Sequence, residues 1–97
     1  MSRLTTDMDR AELRPYFLWD EELTLGELRQ ALASGDEAKR LRLLAKVLRE
    51  ARDDEVWRLV SPTEVAEALP RLAPFLGRRR AFWEFLITGW RQDGLLP

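Results

Sequence analysis

The chain has 97 residues, 45% hydrophobic and 34% charged, with no cysteine, no histidine and a formal charge of −1. That length suits one domain with one core, and that composition excludes a disordered chain. Without thiol or imidazole there can be no disulfide and no thiolate or imidazole metal site; acid–base work would fall on a shifted carboxylate, Lys39 or Lys46. These absences count against an enzyme, and no cofactor is expected. No apolar run is long enough to cross a bilayer, and "MSRLTTDMDRAEL" has acids where a secretory signal needs an apolar segment, so the expected setting is cytoplasmic.

Residues 1–13 read as a flexible polar tail, with the domain running from 14 to 97. Pro15 biases Arg14 away from helix. There follows "YFLWDEE", in which Tyr16, Phe17, Leu18 and Trp19 fit neither a helix stripe nor a strand alternation. In an extended arm these side chains would alternate faces, giving a clasp that packs on the chain's own helices or on a partner. Asp20, Glu21 and Glu22 lie where the positive end of the next helix dipole would favour them.

"TLGELRQALASG" places Thr24 three residues before Glu27, a capping box, with Leu25, Leu28 and Leu32 on one face and Gly35 as a stop. Ser34 and Glu37 form a second such box ahead of Leu41, Leu44, Ala45 and Leu48, which fall at helical spacing. Asp53, Asp54 and Glu55 read as a solvated junction. Ser61 with Glu64 makes a third box with Pro62 at the first helical position, and Pro70 and Pro74 then restrict the chain to short turns beyond Leu69.

The last segment, "GRRRAFWEFLITGWRQDG", predicts a helix from near Arg78 to before Gly94, with Gly89 inside it at a cost of roughly 1 kcal/mol relative to alanine. Arg78, Arg79 and Arg80 oppose that helix's dipole, and Glu84 offsets only one of them. Compensation could come from acids at 20–22 or 53–55, from an acidic partner, or from phosphate. Phe82, Trp83, Phe85, Leu86, Ile87 and Trp90 exceed a single apolar stripe, so the helix is either central or meets another chain. No segment reads as a strand. The expected fold is all-α, a small antiparallel array of four to five short helices with an extended aromatic N-terminal arm.

The order "PYFLWD", Thr24, "LLAKVLREARDDEVWRLVSPTEV", "PRL" and an aromatic final helix resembles a small bacterial helical family with a PYF-x-WD motif. Its members are often encoded beside nucleotidyltransferases of the AbiEii toxin type. The resemblance implies a non-enzymatic, antitoxin-like or accessory partner of such a toxin. On that reading Tyr16, Phe17 and Trp19 anchor the partner, Arg78, Arg79 and Arg80 supply charge, and Trp83 and Trp90 fill pockets. The alternatives are a nucleic-acid-binding or regulatory module using the helix start at Arg78–Arg80, and a structural domain that homodimerises through its last helix. No membrane partner is expected.

Overall fold

The computed structural model describes residues 4–96. It is predominantly helical, with α1 (Leu25–Leu32), α2 (Glu37–Glu50), α3 (Asp53–Val56), α4 (Pro62–Leu72) and α5 (Arg80–Gln92). Single 3-10 turns at Tyr16–Leu18, Ala73–Phe75 and Gly77–Arg79 link them. Two short strands, β1 (Leu4–Thr5) and β2 (Arg14–Pro15), pair in parallel with Leu4 opposite Arg14, correcting the reading that no segment forms a strand. Strands of two residues carry no alternation, so only the tertiary pairing defines them. Among the described residues no helix is long and apolar enough to cross a membrane.

Of the segment expected to be a flexible tail, the first three residues lie outside the described ones and most of the others are exposed, but Met8 is buried and the opening amides of α1 bond back to this segment. The Leu25 N–H donates to the Leu13 carbonyl at 2.8 Å and the Gly26 N–H to the Ala11 carbonyl at 2.9 Å. These are donors that a helix start leaves without intrahelical partners. Gly26 permits the approach, because a Cβ there would lie 3.2 Å from the Ala11 carbonyl oxygen. Thr24 and Glu27 complete the expected capping box.

The central element is α2, not the last helix. Leu43 to Leu48 are buried without a break, as α1, α3, α4 and the turns at Tyr16–Leu18 and Gly77–Arg79 all pack on it. Its N-cap is Asp36, which accepts from the Lys39 N–H at 3.1 Å, while Ser34 accepts from the Asp36 N–H. The box placed at Ser34 is therefore two residues early. The far end of α2 is closed by side chains from around α5: Trp83 Nε1 donates to the Leu48 carbonyl at 2.8 Å and Arg79 to the Ala51 carbonyl at 3.3 Å.

The capping box of Ser61 and Glu64 forms, with Pro62 opening α4. Contrary to expectation, α4 runs through Pro70 to Leu72. Proline at 70 removes the amide that would bond to the Ala66 carbonyl. Arg91 on α5 donates to that carbonyl instead, at 3.3 Å. Helix α5 is closed two residues past its end by Gly94, whose φ of 76° lets the Leu95 N–H reach the Trp90 carbonyl at 2.8 Å, a glycine-terminated C-cap. Only Trp83 and Ile87 of α5 are buried, so it is a peripheral helix with one inward edge.

Candidate functional site

The segment expected to be an extended arm is extended only as far as Pro15; Tyr16–Leu18 then coil into a 3-10 turn. That turn sends Phe17 and Leu18 into the core and leaves Trp19 61% exposed. Phe17 is thus a core residue and not a partner contact. Tyr16 is half-buried and tied to the junction before α3: its hydroxyl donates to Glu55 and accepts from the Arg52 N–H at 2.9 Å. Burial, and then the bond to Glu55, raise the Tyr16 phenol above its ordinary pKa. Glu55 is accordingly more than a solvated junction acid.

Two buried cations fix the turn. Arg14 pairs with Glu22 at 2.8 Å and donates to the Trp19 carbonyl at 3.4 Å. Lys46 rises from the middle of α2 to Asp20 Oδ1, 2.6 Å away, with its Nζ 5.3 Å from the Trp19 ring centroid. The hydrogen bond from Lys46 lowers the pKa of Asp20 below the ordinary carboxylate range. Sequence reasoning assigned neither cation a structural role. Lys46 did leave a signal, since it is the lone charge inside "LLAKVL", where a stem must lie along apolar surface.

Beside Trp19 one face of α2 floors a groove of about 550 Å³. Ala38, Leu41 and Ala45 form its base with Leu72; Asp20 and Glu21 flank it from the clasp, Arg71 from the end of α4 and Phe75 from the 3-10 turn that follows. Phe75 is 63% exposed. Arg42, Lys46, Arg49 and Arg71 also line the groove. Arg42 pairs with Glu21, Arg49 with Glu50 and Arg71 with Glu37, all with exposed or half-exposed side chains. Exposed pairs contribute about 0–1 kcal/mol, so a partner's carboxylates could replace these acids at little cost. No periodicity marks Phe75, which sits between Pro74 and Leu76 in a 3-10 turn.

The arginine triplet does not act as a unit. Arg79 stacks over Phe82 and Trp83, with its guanidinium carbon 5.1 and 5.5 Å from their centroids, and bonds to the Ala51 carbonyl. Arg80 pairs with Glu84 at 2.8 Å, the expected i, i+4 pair. The positive charge at this helix start is therefore offset mostly by a backbone carbonyl, aromatic faces and Glu84, and not by the acids at 20–22 or 53–55. Arg78 is exposed and has no ion pair among the described residues.

Trp83 is fully buried, so it is not a partner contact. Trp90 is half-buried against Trp57, with ring centroids 5.5 Å apart, and Trp57 also meets Trp83 edge-on at 5.7 Å. These indoles knit α5 to the α3 corner. The outward aromatics of α5 are Phe82 and Phe85, the latter 79% exposed. Phe85 falls off the inward line that the helix makes through Trp83–Ile87–Trp90, a signal available in the sequence.

Among the described residues no cluster of three or more carboxylates could hold a metal ion. No protein-family model, curated protein or solved structure matches the chain.

Proposed function

We propose that this chain is a non-enzymatic protein-interaction domain that captures a partner segment in the α2 groove. The observation that carries this reading is one apolar helix face ringed by cations and lined by the exposed Phe75, with the exposed Trp19 next to its lining residues Asp20 and Lys46. Aromatic anchors beside a concave apolar floor are the usual origin of interface hot spots. Arg42, Arg49 and Arg71 in the lining, whose exposed pairs a partner's carboxylates could take over, favour a partner segment with apolar residues for the floor and carboxylates for the rim. Trp19 and Phe75 thus replace Tyr16, Phe17, Trp83 and Trp90 as anchors. The family resemblance makes a nucleotidyltransferase-type toxin in the cytoplasm the partner, which this domain restrains by occluding its active-site cleft. A nucleic-acid role would rest on Arg78, since Arg79 and Arg80 are engaged within the chain.

The test places a photoreactive phenylalanine analogue at Phe75 and, separately, at Arg78, and irradiates host lysate with and without nuclease treatment. The reading expects a protein adduct from position 75 that disappears when Trp19 is changed to alanine. Adducts confined to position 78 and lost on nuclease treatment would overturn it in favour of phosphate binding.

A further inference from the structure

The outer edge of α5 is unused by the groove, and its composition is self-complementary. Phe82, Phe85 and Gly89 of α5 follow one another at spacings of three and four, the seam of a helix that packs along another helix, and Arg78 stands four residues earlier in the 3-10 turn that leads into α5. Both phenylalanines are exposed. Gly89 has no reason within the chain to be glycine: its φ is not positive, and a Cβ built there meets nothing within 4 Å. A mid-helix glycine carries a stability cost that is understandable where something outside the chain must come close. Beyond it lies Asp93, exposed and, like Arg78, without an ion pair among the described residues.

One register accounts for all of these residues. If a second α5 runs antiparallel across the first, the point midway between Phe82 and Gly89 is also the point midway between Arg78 and Asp93, between Phe85 and Leu86. A two-fold axis there sets each Phe82 into the gap at the partner copy's Gly89. It also sets each Arg78 against the partner copy's Asp93, so every contact occurs twice. We infer that the occupant of this face is a second copy of the chain, forming an antiparallel α5 pair. A single helix pair of this length gives an interface at the small end of the range, so the dimer should dissociate between about 1 µM and 1 mM. It leaves the groove of each copy open and would make the domain a two-headed binder.

Sedimentation across that concentration range tests the inference, with Arg78→Asp and Asp93→Arg as variants. Both sites are exposed and outside the core, and unchanged circular dichroism checks that each variant folds. The wild type should move from the mass of one chain to that of two. Each variant alone should dimerise roughly tenfold more weakly, because both bridges become repulsive. An equimolar mixture of the two should recover wild-type association, because a mixed pair restores both bridges. Gly89→Leu should weaken the dimer by about 100-fold through overpacking. A monomer at every concentration, a mixture no tighter than its components, or a Gly89→Leu variant that still dimerises would overturn the inference.

Discussion

The two aromatic-rich stretches of the chain, Tyr16–Trp19 and Phe82–Trp90, look alike as sequence and are solved by the fold in opposite ways. In the second, helical periodicity does the sorting: Trp83 and Ile87 turn inward and Phe82 and Phe85 outward. In the first, a single 3-10 turn does it, and the turn holds its shape because Arg14 and Lys46 reach it from beneath. Aromatic content alone therefore says nothing about which ring faces solvent. The deciding factor is helical periodicity in one case and, in the other, a turn held by the adjacent Arg14 and the distant Lys46.

The largest effect separating inward from outward rings belongs to Trp83. Trp83→Ala should cost about 3–5 kcal/mol in chemical denaturation, since it empties a buried site and leaves the Leu48 carbonyl without its donor. Phe85→Ala, on the same helix, should stay within about 0.5 kcal/mol. A comparable loss at both positions would erase the distinction drawn within α5.

Tyr16→Phe should come next, at about 1–2 kcal/mol, for the two hydrogen bonds that tie the clasp to the α3 corner. It also carries a pH signature. The folded-state pKa of Tyr16 is raised above the unfolded value of about 10, so its contribution is complete below that pH and is lost as pH rises through the folded pKa. Tyr16 is the sole tyrosine. Subtracting the variant's stability curve from the wild type's should therefore leave a difference that shrinks above about pH 10; a difference flat to higher pH would contradict this.

The smallest effect sharpens the account of the clasp. Lys46→Met keeps the stem along the apolar face and removes the charge, so global stability should change by about 1 kcal/mol or less. The Glu21 amide, which bonds to the Leu18 carbonyl, should nevertheless exchange faster. Equal acceleration across α2 would mean that Lys46 supports the whole fold.

What could be read from the sequence was what neighbouring residues decide. Thr24 with Glu27 and Ser61 with Glu64 cap their helices as expected, because each box closes over three residues. Ser34 misled because Asp36, two residues on, competes for the same role and takes it. The features that could not be read depend on distant partners. Pro70 stays inside α4 with Arg91 on the carbonyl it leaves free. The central place of α2 is masked by its charged residues, since Lys46 is buried only because Asp20 meets it. As for the site, Trp19 was legible as a candidate, whereas Phe75 had no periodicity to mark it and the groove it lines exists only once α4 returns to α2.

The most direct test of the docking account is quantitative capture of protein from nuclease-treated host lysate by the wild type and by a Trp19→Ala/Phe75→Ala variant. Both rings are exposed, so the variant should unfold at the wild-type denaturant midpoint. The account predicts at least a tenfold loss of the protein that the wild type recovers. Equal recovery by the two chains, with the variant fully folded, would contradict it.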